Sequence, residues 1–276
     1  MIRKLAILIG LFFAFAVLLA FGSGVATVIG QGYLRDPSAA AEFHKQPRAL
    51  ALPSDGPFGR FDRRQLQRGF AVYDQVCKSC HALQQVAFRN LADLGYSDAE
   101  IKAIAKSYQI PHYDANTGEV TTTPGLPTDH FPPVLYSGTG HPPDLSLITK
   151  AREGGAPYVH SLLTGFTTQP AELLRKFPDS KTPDGLYYNP YFANLNIAMP
   201  PPLTANGQVT YSDGTPATID QMATDVSAFL VWTAEPTLEK RRQVGWPVLI
   251  FLLFGTGLAY MAYKNVWADK KPKKKG

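Results

Sequence analysis

The 276-residue chain has a net charge of +5, an isoelectric point near 9.1 and a mean hydropathy of −0.10, an average that resembles a soluble protein. That average hides two stretches without a charged side chain, residues 5–34 and 243–263, each long enough for the about 20 apolar residues that a bilayer core requires. A wholly soluble protein and a polytopic transporter are both excluded, which leaves a globular domain tied to a membrane.

In chain order, residues 1–34 read as an N-terminal signal or signal-anchor helix. Arg3 and Lys4 precede the apolar run, and the small residues Gly24, Val25 and Ala26 resemble a cleavage region. The run is longer than the roughly 7–15 residues of an ordinary signal, which favours a retained anchor. Either reading exports the adjoining domain, residues 35–237. Its first helical pattern, Gln65–Val76, leads into Cys77-Lys78-Ser79-Cys80-His81 and makes Phe70 and Tyr73 available to pack on a bound ring.

The C-x-x-C-H arrangement is the attachment signature of c-type haem. Two thiols at that spacing can reach both vinyl groups on one porphyrin edge, and the following imidazole then comes under the iron. The chain holds no third cysteine, so a zinc ribbon lacks its second ligand pair. A thioredoxin-like pair would sit in a βαβ context and would not need the following histidine. One covalent haem c is therefore expected on Cys77 and Cys80, with His81 as an axial ligand.

Further along, Ser97 and Glu100 form a capping box ahead of Ile101, Ile104, Ala105 and Tyr108 on one helical face. Residues 91–130 hold Asp93, Asp98, Glu100, Asp114, Glu119 and Asp129 against only Lys102 and Lys106, a surface able to steer a basic partner. Pro, Gly, Thr and Asp make about 109–143 and 167–217 loops, separated by a short helix over Ala156–Thr164. No alternating strand pattern of useful length appears, apart from a possible short hairpin near Val209–Tyr211.

The second axial ligand has to come from this part of the chain. Met222 falls in the helical pattern of Ile219–Ala234, opened by a Thr218–Gln221 capping box, and reads as core filler. Met199 precedes Pro200-Pro201-Pro202, whose fixed backbone can hold a side chain against an iron. Met199 is favoured over the rivals His44, His112, His130, His141 and His160. A C-terminal anchor then occupies 238–267, with Trp246 and Trp267 bracketing its apolar part and a lysine-rich tail over 268–276. Residues 32–243 carry 19 basic and 21 acidic side chains, so the positive excess lies beside the two apolar segments. That distribution points to a cytoplasmic C-terminus beside membrane lipid and not to nucleic acid.

Taken together, these residues make the chain one that resembles the cytochrome c1 family, the haem subunits of cytochrome bc1 complexes. The matching motifs are Cys77–His81, Pro142–Ser146, Ala151–Gly155, Tyr158–Gly165, Asn189–Phe192, Ile197–Met199 and Asp213–Thr218, over roughly residues 54–268. The resemblance implies a mainly α, class I c-type cytochrome fold with long loop insertions and a C-terminal transmembrane helix. It implies Met199 as iron ligand, Arg152 on a haem propionate, and Pro143 and Tyr158 lining the pocket. Ser137 stands where many relatives have Asn, and a retained N-terminal anchor is unusual for the family.

The function so implied is electron transfer from the Rieske iron–sulfur protein to a soluble or membrane-tethered cytochrome c within quinol–cytochrome c reductase. Cytochrome b is a further partner and the complex is dimeric. The chain is then the electron-transfer subunit of an enzyme, with no acid–base catalytic residues of its own. The setting is a bacterial inner membrane with the haem domain facing the periplasm. Two alternatives share the haem motif: a haem c subunit of a terminal oxidase or free tethered cytochrome, and a haem-based sensor. Neither accounts for the Pro142–Gly155 and Asn189–Met199 motifs.

Overall fold

The computed structural model describes residues 2–30, 38–113, 115–138, 140–268 and 270. Asp114, the residues around the first domain boundary (31–37) and nearly all of the lysine tail lie outside that set. The N-terminal apolar run is one helix, α1 (Ile2–Gly30), and a short helix, α2 (Ala39–Phe43), follows it. Asp62 caps the next by accepting from the N–H groups of Arg64 and Gln65, and α3 (Arg63–Gln75) runs up to the cysteine motif. The motif itself forms a 3₁₀ turn over Cys77–Ser79. A second 3₁₀ stretch, Phe88–Leu94, leads to α4 (Asp98–Lys106), whose expected Ser97–Glu100 capping box is present.

Three expectations are corrected between α4 and residue 217. Residues 109–143 include an antiparallel hairpin of β1 (Gln109–Tyr113) and β2 (Val120–Pro124), paired from Gln109↔Pro124 to Tyr113↔Val120. The second loop region contains a helix, α7 (Ala171–Lys176), after α5 (Ile148–Ala151) and α6 (Gly155–Leu163), and the two-residue strands β3 (Tyr187–Tyr188) and β4 (Asn196–Ile197). Val209–Tyr211 forms no strand; Val209 and Tyr211 are buried in the core as irregular backbone.

Ile219–Ala234 is α8, as its periodicity predicts, and Met222 is fully buried in it. Thr218 caps it by accepting from the Gln221 N–H. The Gln221 side chain does not complete the box: its amide donates to Asp225 at 2.9 Å. A three-residue turn then starts α9 (Leu238–Val266). Both α1 and α9 are long and apolar enough to cross a membrane, and their apolar faces are uncovered within the chain.

The core forms where α3 crosses α8. Gly69 allows the approach, since a Cβ there would lie 2.1 Å from the Asp225 carbonyl oxygen and 2.6 Å from the Phe229 Cβ. Around the crossing, aromatic rings interlock: Phe70 lies 5.7 Å from Phe229, Tyr73 5.9 Å from Phe131, and Phe131 4.4 Å from Phe88. Phe70 and Tyr73, available by sequence to pack on a bound ring, are part of this core and are not among the residues lining the cavity beside the cysteine turn.

Candidate haem cavity

The cysteine turn opens onto a cavity of about 540 Å³, within the ordinary size range of small-molecule sites. Cys77, Cys80, His81, Pro143, Arg152, Tyr158 and Met199 all line it, so the structure brings together every site residue named from the sequence. Its apolar wall comes mainly from Leu145, Ile148, Val159, Leu162, Phe192 and Ile197, with Val226 and Leu230 from α8. Sequence periodicity marks Val226 and Leu230 as core positions, and both are almost wholly buried where the core meets the cavity.

Both thiols are free of any disulfide. Burial and the adjacent Cys80 push the Cys77 thiol up to about 12, so it remains protonated at neutral pH. Beside them His81 Nδ1 lies 2.7 Å from the carbonyl oxygen of Pro143. A carbonyl only accepts, so Nδ1 carries the proton and Nε2 keeps its lone pair. Burial lowers the imidazole's affinity for a second proton, opposed by that carbonyl and by Asp144.

The Pro142–Ser146 motif has a local explanation. Asp144 accepts from Gln84 N and Ser146 N, both at 2.8 Å, and Leu145 N donates to the Ala82 carbonyl at 2.9 Å. These bonds lash the motif to the chain just after His81, which keeps the Pro143 carbonyl on the imidazole. Pro143 thus does more than line the wall.

Met199 is delivered by a different device. Asn189, wholly buried, donates from Nδ2 to the Leu162 carbonyl at 2.8 Å and accepts the Tyr191 N–H at 3.0 Å. Leu195 then adopts a left-handed backbone (φ 67°), held by Leu195 N to Phe192 O and Asn189 N to Leu195 O, both 2.8 Å. A non-glycine residue there is strained by roughly 1–3 kcal/mol and persists only where its surroundings hold it. The turn leads directly into Ile197-Ala198-Met199 at the cavity.

Arg152 is exposed at the cavity's edge, where its Nη1 donates to the Ala151 carbonyl at 3.1 Å. It has no carboxylate partner among the described residues. Positive φ at Gly154 (82°) and Gly155 (52°) turns the chain from Arg152 into α6. A Cβ at Gly154 would meet Pro47 at 3.0 Å. Tyr158, one turn on, is half-buried; burial pushes its hydroxyl upward and Arg152 opposes the shift.

Of the rival histidines, His44, His112, His130 and His160 are absent from the cavity. His112 bonds Thr123 Oγ1 at 2.7 Å and His160 bonds Asp220 at 3.0 Å. His141 does line it, from an exposed position. The donor set suits an iron porphyrin: two thiols, an imidazole with a free Nε2, a thioether, apolar walls and a guanidinium without a carboxylate at the rim.

The family model described as the Cytochrome C1 family matches residues 52–270. A protein named cytochrome b/c1 from Bradyrhizobium diazoefficiens is 42% identical over 268 residues, 86% of this chain; the chain spans 38% of that protein's length. Cytochrome c1 from Rhodospirillum rubrum is 40% identical over 266 residues, covering 90% of this chain and 96% of that one. Cytochrome c1 from Cereibacter sphaeroides is 36% identical over 313 residues, covering 100% and 99%.

Proposed function

Because the chain belongs to the cytochrome C1 family, we propose that it accepts one electron at a time from a Rieske iron–sulfur protein and passes it to cytochrome c. It is a haem cytochrome of the bc1 complex, a subunit of ubiquinol–cytochrome c reductase. The observation that carries the reading is the convergence of Cys77, Cys80, His81 and Met199 on one apolar cavity.

A haem held there supplies a reversible one-electron change at iron. Cys77 and Cys80 would tether it through their sulfurs. His81 presents Nε2 because Pro143 holds the Nδ1 proton, and Met199 presents its sulfur from the Leu195 turn. Arg152 sits at the rim to pair with a propionate, and the walls from α6 and α8 keep water out. With His81 and Met199 both available to the iron, the chain would move electrons and needs no proton-transfer group of its own.

The domain over 35–237 lies in the periplasm, 238–267 returns through the inner membrane, and 268–276 ends in the cytoplasm. The name cytochrome b/c1 supports cytochrome b as a neighbour. The acids Asp93, Asp98, Glu100, Glu119 and Asp129 supply a surface for a basic cytochrome c. A reduced-minus-oxidised spectrum of the chain purified from its own membranes tests the reading. Bands of b-type haem beside the c-type band, with reduction by quinol blocked by a quinol-site inhibitor, support it. A c-type band alone in several mild detergents overturns the complex and leaves a free tethered cytochrome.

A further inference from the structure

The start of α9 presents a feature that electron transfer does not use. Phe58 is 77% exposed, yet its ring stacks on that of Trp246 at 5.5 Å and 10°. The loop that carries it is built onto the helix: Arg242 Nη1 donates to the carbonyls of Ser54 and Gly59 at 2.9 and 2.8 Å, and Glu239 accepts the Phe61 N–H at 2.7 Å. Glu239, Arg242 and Trp246 fall at i, i+3 and i+7, one face of the helix. A Cβ on Gly59 would lie 2.0 Å from the Asp55 carbonyl oxygen, so the loop closes tightly on itself.

Trp246 stands one turn beyond Arg242, at the start of the uncharged residues 243–263. At 1.5 Å per residue those 21 residues span about 31 Å, close to the hydrocarbon thickness of a bilayer. This is the depth at which amphipathic aromatic rings collect. Arg60, two residues after Phe58, and Lys240, two before Arg242, are exposed and have no acidic partner among the described residues. Pro57, next to Phe58, has no N–H to leave unsatisfied in such a setting.

We propose that the 54–60 loop is a second membrane contact: the Phe58 ring lies in the interfacial layer of the phospholipid leaflet, and Arg60 and Lys240 meet anionic headgroups. It rests on the reading of α9 as a membrane span, with which it is continuous. The haem domain would then be seated on the bilayer at two points, the helix and the loop.

Nitroxide labels at Phe58→Cys, Leu252→Cys and Asp179→Cys test this in the full-length, haem-loaded chain, where Cys77 and Cys80 are occupied. The chain is reconstituted in phosphatidylcholine vesicles doped with phosphatidylglycerol, and relaxation by oxygen is compared with relaxation by an aqueous nickel chelate. An oxygen-to-chelate ratio at position 58 several-fold above that at 179, and below that at 252, is expected. A ratio at 58 equal to that at 179 overturns the proposal, and so does shielding from both agents, which would mean a protein neighbour. Loss of the oxygen preference at 252 would instead overturn the membrane span itself.

Discussion

Arg68 grips both carboxylate oxygens of Asp225, Nε to Oδ2 at 2.9 Å and Nη2 to Oδ1 at 3.2 Å, and Asp225 is wholly buried. The pair joins α3 to α8 at their crossing, one turn along α8 from Gln221, which also donates to Asp225. A charge removed from water is costly unless paired. Arg68→Leu, which strands the carboxylate, is expected to destabilise the domain by about 3–5 kcal/mol. Denaturant unfolding of the full chain in detergent checks this. The double variant Arg68→Leu/Asp225→Leu should recover most of the loss; no recovery would mean that the pair contributes through more than its charges.

The same guanidinium reaches Asp213 at 2.7 Å. The Thr215 N–H, and then Arg68, hold the Asp213 carboxyl down to about 2, against an ordinary 3.8. A folded-state value below the unfolded one stabilises above the ordinary range and loses that contribution as pH falls from about 4 towards 2. Asp213→Asn should flatten this acid limb in a profile of melting temperature against pH, by lowering the melting temperature at neutral pH while leaving it unchanged near pH 2.

Gly69→Ala forces α3 and α8 apart at their closest approach. Overpacking of this kind costs about 1–3 kcal/mol, more where backbone is the obstacle. Here the nearest atom is the Asp225 carbonyl oxygen. A lowered melting temperature with a normal haem spectrum is the expected outcome, and an unchanged melting temperature would contradict the packing described.

Met199→Ala should leave haem covalently attached while opening the iron to carbon monoxide in the reduced state, with a fall in reduction potential. His141→Ala should do neither, although His141 also lines the cavity. If the two results exchange places, His141 is the ligand.

Arg152→Gln should retain the haem and lower its potential by tens of millivolts, since a positive charge beside the propionates favours the reduced form. About 59 mV corresponds to a tenfold change for one electron. Redox titration checks it; an unchanged potential would make Arg152 an ordinary surface cation.

Legibility in the sequence was local. The C-x-x-C-H motif, the Ser97–Glu100 box and α8 are each written in residues a few positions apart. The β1–β2 hairpin was not legible because nearly all ten of its residues are exposed, which leaves no alternation of apolar and polar positions. The sequence makes Phe70 and Tyr73 available to a bound ring, and nothing local in it shows that they meet Phe131 and Phe229 instead. The tasks of Asn189 and Asp144 depend on partners 27 and 60 residues away. Only the family resemblance singles out their motifs.

The turn between α8 and α9 has a mechanical consequence. Lys150 reaches Glu235 at 2.5 Å, Arg241 pairs with the same carboxylate, and Arg242 ties the 54–60 loop to the anchor. Val226 and Leu230, which wall the cavity, belong to the helix that enters this joint. If the proposed function holds, a pocket joined this closely to α9 would act as a fixed relay post, and the travelling between donor and acceptor would fall to the molecules that visit it.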